Sequence, residues 1–280
     1  MKSITFECET ITPMFLAGAD GRTPELRPPS LKGLMRFWWR AMNGNLPLEK
    51  LKKKEAEIFG ASDENIGRSK ISIRILSDIL QTSTYPPIPY KNFKFDDIIP
   101  NQNISIILST HYNNAIDKYS DILKVSIILG GLGKRARRGF GSVRILDVDN
   151  QSYKSEYNLE NILKLVNKIG DNKYYKIENG KIVLKQNITA QYPFLKEIEI
   201  GKEYDSWKEL LKKVAEASHN HDFDSLGFGG NKRLASPIYV SVLKNTNNKY
   251  LPIISTLNTV FGDKRTVDDS EQNAFKGAIL

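Results

Sequence analysis

The sequence predicts an α+β fold, because segments with the two-residue period of a half-buried strand alternate with segments of helical period. Over the first half of the chain these segments follow the order strand, helix, strand, strand, helix, strand. This order is the split βαβ or ferredoxin-like plan, which RRM domains share. A length of 280 residues exceeds one typical domain. We therefore predict a ferredoxin-like domain at residues 1–150 and a second, degenerate ferredoxin-like domain at residues 151–280.

The elements of the predicted first domain follow from short apolar patterns. A first strand is placed at residues 2–11, where apolar residues alternate with polar ones. The other elements are predicted as helices at residues 31–42, 48–59 and 114–129 and as strands at residues 71–75, 104–109 and 143–148. Glycine and proline interrupt residues 14–29, and three prolines interrupt residues 81–97, so both segments are predicted as loops. The first loop is longer than an ordinary connection, which is typical of a binding loop.

The second half carries a weaker version of the same pattern. Its elements are predicted as helices at residues 158–169 and 204–217 and as strands at residues 182–189, 237–243 and 250–255. A second glycine-rich loop, GFGGNKRL at residues 227–234, contains Lys232 and Arg233, which are two further candidate anion-binding residues. A helix, a glycine-rich loop and a strand thus recur in the order of the first half, which favours a degenerate repeat.

The most distinctive segment is GGLGKRARRGFGSV at residues 130–143, which we name the glycine loop. Its candidate anion-binding residues are Gly131, Gly133, Lys134, Arg135, Arg137 and Arg138. Backbone N–H groups of a glycine-rich turn bind anions, and arginine forks contact phosphate oxygens in pairs. A P-loop is excluded because Arg135 stands where Ser or Thr would hold magnesium, and a dinucleotide fingerprint fails at Ala136. A glycine turn with a solvated cationic flank remains the alternative.

A basic stripe is predicted on the first helix, for which Ser30 is a plausible N-cap. Lys32, Arg36 and Arg40 recur every four residues and so share one side of the helix. Like charges at this spacing are unfavourable, and no acid occurs from residue 26 to residue 48. An external anion is the expected partner.

Aromatic stacking of bases is less well supported. Trp38 is expected in the core, whereas for Trp39 a core position and base stacking remain equally open. Residues 138–145 resemble the RNP1 motif of RRM domains, but Ser142 and Ile145 stand where stacking aromatics are expected. We therefore reject stacking on the sheet face as the main mode of binding.

Composition points to an intracellular protein with a polyanionic partner. The formal net charge is +9 at pH 7, which favours binding to nucleic acid. The only cysteine, Cys8, has no disulfide partner within the chain, as expected in a reducing compartment. No apolar run is long enough to span a membrane, and no signal peptide pattern is present. A cytoplasmic location and no membrane partner are expected.

Catalytic signals are weak. His111, His219 and His221 are the only histidines and are the candidates for metal-free acid–base catalysis. The positions of these histidines at strand and helix ends can also be explained without a catalytic role. No GxSxG or HExxH motif occurs, and no ligand spacing indicates a metal. We predict no catalytic residue, no metal site and no cofactor.

Four segments carry a resemblance to a known family. These are TPMFLAGADGRTPELRPPSLKGLMRFWWRA at residues 12–41, IFG at residues 58–60, the glycine loop, and RLASPI at residues 233–238. They resemble the first subunit of the Cmr complex, the type III-B CRISPR effector, whose RAMP superfamily proteins consist of ferredoxin-like domains with a glycine-rich loop. The first and third segments are specific enough to identify the family.

The resemblance implies a non-catalytic RNA-binding subunit that contacts guide RNA and target RNA near the 3′ end of the guide, in antiviral defence. It also implies other RAMP subunits of the Cmr complex as partners. In that family the cleaving acid belongs to a neighbouring backbone subunit.

One groove for single-stranded RNA is the leading hypothesis for the site. Its predicted cations are Arg22, Arg27, Lys32, Arg36 and Arg40 of the first loop and helix, with Lys134, Arg135, Arg137 and Arg138 of the glycine loop. Two alternatives remain open. One is a RAMP-superfamily endoribonuclease that processes CRISPR repeat RNA through a histidine, and the other is a scaffold with acidic protein neighbours.

Overall fold

The computed structural model describes residues 1–62, 66–89, 91–112, 115–153, 157–170, 174–229 and 233–280. The elements of the first half are β1 (Lys2–Thr10), α1 (Pro28–Ala41), α2 (Leu48–Phe59), β2 (Ser72–Leu76), β3 (Thr82–Tyr85), β4 (Phe95–Ile98), β5 (Asn103–Thr110), α3 (Ile116–Leu129), β6 (Val143–Val148) and β7 (Gln151–Ser152). Those of the second half are α4 (Leu159–Ile169), β8 (Tyr175–Glu178), β9 (Lys181–Leu184), β10 (Leu195–Ile200), α5 (Trp207–Asn220), β11 (Ile238–Lys244), β12 (Tyr250–Leu257) and α6 (Asp269–Gly277). None of these described helices is long and apolar enough to cross a membrane.

The first sheet is antiparallel and has the strand order β2-β5-β1-β6-β7. One face is apolar: Phe6 of β1 pairs with Ile106 of β5, and both side chains are buried. Helices α1 and α3 contact this sheet. The other face is polar, since Glu7 lies between Ser105 and Asp147 in register. None of the described strand residues on that face is aromatic, which supports the rejection of base stacking there.

The second sheet is also antiparallel, with the order β11-β12-β10-β9-β8. Strands β10, β11 and β12 occupy the positions that β1, β2 and β5 hold in the first sheet, and α5 follows β10 as α1 follows β1. The position of β6 is taken by β9, which precedes β10 in the chain. Both sheets are therefore antiparallel parts of an α+β structure. They differ in one connection, since the fourth strand comes after the other three in the first half and before them in the second.

The hydrophobic core continues across both halves. One cluster of buried side chains contains Phe6 and Leu123 of the first half together with Val166 and Ile253 of the second. A second cluster joins Phe140 of the glycine loop to residues of α5, β11 and β12. Strand β7 pairs with β6, and α4 packs on α3. The predicted domain division at residue 150 stays a prediction.

Several predicted elements are confirmed. Helix α2 has the predicted bounds, and α4 begins after Asn158, whose side chain accepts a hydrogen bond from the Asn161 N–H at 2.9 Å. Helix α1 begins earlier than predicted, with Arg27 rather than Ser30 at the N-cap position. The reason is that proline fits the first helical position, where its missing N–H costs nothing. The predicted helix start at Asn114 lies outside the described residues.

Other predicted elements are wrong. The predicted loop at residues 81–97 contains the hairpin β3–β4, because its three prolines fall between the two strands. The strand predicted to reach residue 189 ends at Leu184. Strands β8 and β10 and helix α6 were not predicted, since charged residues obscure their apolar pattern. The second glycine-rich loop follows α5, the counterpart of α1, whereas the glycine loop follows α3, so it does not occupy the equivalent place in the repeat.

Candidate nucleic-acid interface

The backbone of the glycine loop closes on itself through its glycines. Gly133, Gly139 and Gly141 all have positive φ, which favours glycine. The Leu132 N–H donates to the Gly141 carbonyl at 2.9 Å, and a Cβ on Gly141 would overlap the Leu132 carbonyl oxygen. This closure separates two parts, which we name the lysine arm (residues 131–134) and the arginine arm (residues 135–141).

The lysine arm packs on the first loop. The Lys134 N–H donates to the Phe15 carbonyl at 3.0 Å, and a Cβ on Gly133 would overlap the same carbonyl. The Lys134 ammonium donates to the Gly21 carbonyl at 3.3 Å and lies 4.7 Å from the centre of the Phe95 ring. The arm thus joins the first loop to the hairpin β3–β4.

A cavity of about 370 Å³ lies where these three segments meet. We name it the lysine-arm pocket; it is lined by Phe15, Ala17, Gly21, Arg22, Lys94, Phe95, Asp96 and Lys134. Arg22, Lys94 and Lys134 are exposed cations, and none of them forms an ion pair within the described part of the chain. The Phe15 and Phe95 rings meet edge to face at 5.5 Å. The pocket therefore combines cations with an apolar aromatic wall.

The arginine arm instead lies between the two sheets. The Gly139 N–H donates to the Val240 carbonyl at 2.8 Å, and the Val240 N–H donates to the Arg137 carbonyl at 3.3 Å. Arg138 and Val240 form a parallel bridge, so this arm extends the second sheet beyond β11. The next residue of β11 also contacts the glycine loop, since the Ser241 hydroxyl donates to the Gly130 carbonyl at 2.7 Å.

The side chains of the arginine arm contact the second half of the chain. Arg137 donates to the Ser236 carbonyl, and its guanidinium lies 4.9 Å from the Tyr239 ring centre. Arg138 donates to the Ile238 carbonyl at 3.2 Å and covers the Phe275 ring at 5.1 Å. These contacts hold the two halves together.

The positive charge of the glycine loop is not neutralised by the protein. None of the loop's four cations forms an ion pair with a carboxylate among the described residues. Burial, followed by the charges of Arg135 and Arg137, lowers the pKa of Arg138 to about 10, so its guanidinium stays charged at neutral pH. Burial also lowers the pKa of Arg135, whose Nε has no described hydrogen-bond partner. Excess charge of this kind attracts an anion from outside.

The basic stripe of α1 has an internal partner that the sequence argument overlooked. Arg36 Nε and Arg40 Nη1 donate to the same Glu55 oxygen at 2.7 and 2.8 Å, and the Glu55 side chain is buried. The acid was missed because it lies on α2, beyond the window searched. Lys32 has no described ion-pair partner, and burial together with Arg36 lowers its pKa. Because the Glu55 carboxylate offsets one of the three positive charges, the net charge of the stripe stays positive.

The predicted cations do not form one continuous set of contacts. Helix α1 meets the glycine loop through another side, where Phe37 lies 5.7 Å from the Arg137 guanidinium and Trp38 packs on Gly130. Among the described residues, no hydrogen bond or ion pair joins the basic stripe to the glycine loop. The contacts therefore indicate two neighbouring cationic patches.

The remaining predicted residues lie elsewhere or outside the description. Arg27 is half-buried at the start of α1. Arg233 lines a separate cavity of about 270 Å³ beside Arg265. Lys232 lies outside the described residues. Sequence reasoning missed Lys94 and Asp96, because their segment was predicted as a loop; the alternation of aromatic and charged residues at 93–96 was the available signal.

The aromatic residues are placed as core. Trp38 and Trp39 are both buried, which settles the open choice for Trp39. Phe140 is buried against Phe15, with ring centres 5.0 Å apart, so the RNP1-like segment presents no ring for stacking.

Comparison with known proteins points to one family. A sequence model of the RAMP superfamily matches residues 7–144, which contain β1, α1 and the glycine loop. The Cmr subunit Cmr1-2 of Pyrococcus furiosus is 29% identical over 182 residues, covering 52% of this chain and 96% of that protein. The Cmr subunit Cmr1-1 of the same organism is 29% identical over 170 residues, covering 52% of this chain and 48%, about half, of that protein. These matches support the Cmr subunit 1 family of the RAMP superfamily for this chain.

The Cmr1 fold extends over the whole chain. The crystal structure of apo Cmr1 from Pyrococcus furiosus aligns with a TM-score of 0.66 at 19% identity, covering 100% of this chain and 96% of that one. A chain of the type III-B Cmr-β complex bound to cognate target RNA aligns with a TM-score of 0.60 at 12% identity, covering 99% of each chain. These likenesses show that the shared fold includes both sheets.

Proposed function

We propose that this protein is a non-catalytic, RNA-binding subunit of a type III-B Cmr effector complex. It contacts guide RNA, target RNA or both near the 3′ end of the guide, beside other Cmr subunits. The observation that carries the proposal is the un-neutralised positive charge of the glycine loop and of the adjoining lysine-arm pocket. Sequence similarity to a Cmr1 subunit supports it, as does the likeness to a chain from a complex bound to cognate target RNA.

The phosphate backbone is the part of RNA that this surface suits best. Arg22, Lys94 and Lys134 are exposed and without described ion pairs, so phosphates can reach them without breaking an internal ion pair. Phosphate contacts of this kind supply most of the affinity for nucleic acid and make it salt-dependent. Arg137 and Arg138 of the arginine arm attract RNA by their charge rather than by direct contact, because they already donate to backbone carbonyls of the second half.

The finer fold is part of the same proposal. Each sheet is taken to belong to one ferredoxin-like unit, because β1 and β2 are separated by β5 just as β10 and β11 are separated by β12. A helix also follows the first strand of each set. In the second unit, β9 takes the position beside β10 that β6 takes beside β1 in the first unit.

Binding is tested with the double variant Arg22→Gln/Lys134→Gln on single-stranded RNA over a potassium chloride series. We expect weaker binding and a slope of log K against log salt that flattens by about 1.4, since each phosphate contact on a single strand contributes about 0.7. The matched control is Lys164→Gln/Lys213→Gln, which removes the same charge from exposed positions of α4 and α5. Equal slopes for the two double variants would exclude the pocket as the RNA contact.

The absence of catalysis is tested on repeat RNA and on guide-complementary RNA. His111 follows β5 of the first sheet, whereas His219 and His221 lie at the end of α5. Intact RNA is expected after prolonged incubation. Cleavage at one position that is lost in His111→Ala or His219→Ala would overturn this part of the proposal.

A further inference from the structure

The lysine-arm pocket contains one acid among its cations. Asp96 lines the pocket together with Arg22, Lys94 and Lys134. Its carboxylate is exposed and forms no described hydrogen bond or ion pair, although three cations surround the same cavity. A pocket for phosphate alone would not gain from this carboxylate, because it repels a phosphate oxygen.

The carboxylate is placed to accept hydrogen bonds from a ligand. It lines the same cavity as Phe95, whose half-buried ring packs on the buried Phe15 ring and supplies the apolar part of the wall. An unstacked nucleobase packs well on such a wall and presents N–H groups at its edge. A volume of about 370 Å³ is within the range of small-ligand sites.

Guanine fits these groups better than the other bases. Its Watson–Crick edge carries two adjacent donors, N1–H and the N2 amino group, which match the two oxygens of one carboxylate. Adenine, cytosine and uracil each offer a donor at only one atom of that edge. Charge-assisted pairs of parallel hydrogen bonds are both stronger and more selective than single ones.

We propose that the lysine-arm pocket accepts one unstacked guanine from the bound RNA, with Asp96 as the residue that determines base specificity. The neighbouring phosphates lie on Arg22, Lys94 and Lys134, and the base packs on the half-buried Phe95. This inference rests on the proposed RNA-binding function and adds a base preference to it.

The test compares five-nucleotide RNAs by fluorescence anisotropy: UUUUU, UUGUU, UUAUU and UUIUU, where I is inosine. Wild-type protein is expected to bind UUGUU about tenfold more tightly than UUUUU, as for a bidentate base contact. Inosine, which lacks the N2 amino group, is expected to fall between them. Asp96→Asn is expected to remove the guanine preference and to bind UUUUU at least as tightly as wild type, because it loses a negative charge without losing a cation.

The outcomes separate the inference from the function on which it rests. A guanine preference below twofold in wild type, or one that persists in Asp96→Asn, overturns the base pocket. If Arg22→Gln/Lys134→Gln still weakens UUUUU binding in that case, RNA binding stands and only the preference fails. If that double variant leaves UUUUU binding unchanged, the proposed function itself fails at this site. Asp117→Asn, an exposed acid on α3, is the charge-matched control.

Discussion

The two arms of the glycine loop are built from the same residue types and make different contacts. The lysine arm packs on the first loop and leaves the Lys134 ammonium exposed beside a cavity. The arginine arm pairs with β11, and Arg137 and Arg138 donate to carbonyls of the second half. The comparison shows that a glycine-rich cationic motif is not one uniform anion site. Which cations are available to RNA depends on what lies against each arm.

Glycine serves different needs in the two arms. In the lysine arm, Gly133 allows the backbone to approach the Phe15 carbonyl. In the arginine arm, a Cβ on Gly139 would lie 2.7 Å from Leu211 Cδ2 of α5, so the residue there must be small for the halves to meet. The arginine arm is thus a structural connection that also carries charge.

The largest expected effect comes from Gly141→Ala, which acts on the closure that separates the arms. The new methyl group would overlap the Leu132 carbonyl at a position with φ of 68°. We expect a loss of at least about 3 kcal/mol in the free energy of unfolding, measured by urea denaturation.

Gly33→Ala is the control for this substitution. Gly33 lies on the exposed side of α1, with nothing near an added Cβ, so a gain of up to about 1 kcal/mol is expected. Similar stability for the two variants would mean that the closure of the glycine loop is not required.

Arg138→Gln is expected to have the next largest effect. It removes charge-assisted hydrogen bonds to the second half, and the free energy of unfolding should fall by about 2 kcal/mol. The salt dependence of RNA binding should change little. A flatter salt slope with unchanged stability would mean that Arg138 contacts RNA and does not hold the two halves together.

Asp97→Asn tests the hairpin that supports the lysine-arm pocket. Asp97 is buried in β4, and burial together with Asp96 raises its pKa to about 6. Because the folded state favours the protonated acid, stability is lost as the pH rises from about 4 through 6. We expect the variant to be more stable than wild type by about 1 kcal/mol at pH 8 and equal to it near pH 4.

Thermal unfolding at several pH values measures this difference. An advantage of Asp97→Asn that does not grow with pH would show that the carboxylate has a partner in the folded state.

Arg22→Gln is expected to have the smallest effect on stability and a clear effect on binding. Arg22 is exposed and has no described ion pair, so the free energy of unfolding should change by less than about 0.5 kcal/mol. The salt slope for single-stranded RNA should flatten by about 0.7. A loss of stability comparable to that of Arg138→Gln would remove the distinction between the arms.

Local patterns predicted much of the first half because the residues that decide each element lie close together in sequence. Helix α2 and strand β6 were predicted with their observed bounds, and Asn158 was expected at the start of α4. The hairpin β3–β4 was missed because its strands are short and three prolines lie between them. Strand β10 was missed because Glu197 and Glu199 interrupt its apolar residues; both pair with Lys276 of α6.

The candidate site was predicted in composition and only partly in arrangement. Arg22 and Lys134 come together in one pocket, as the groove hypothesis required. Lys94 and Asp96 joined them from a segment predicted as a loop. Arg36 and Arg40 proved to share Glu55, a partner that no local window could supply.

The sequence by itself determined the α+β class, the position of the glycine loop before β6, the excess of positive charge and the family resemblance. These depend on periodicity, residue type and order along the chain. The tertiary structure alone decided which cations face solvent and which hold the two sheets together. That division arises because Arg137 and Arg138 meet carbonyls about 100 residues away in sequence, whereas Lys134 borders an open pocket.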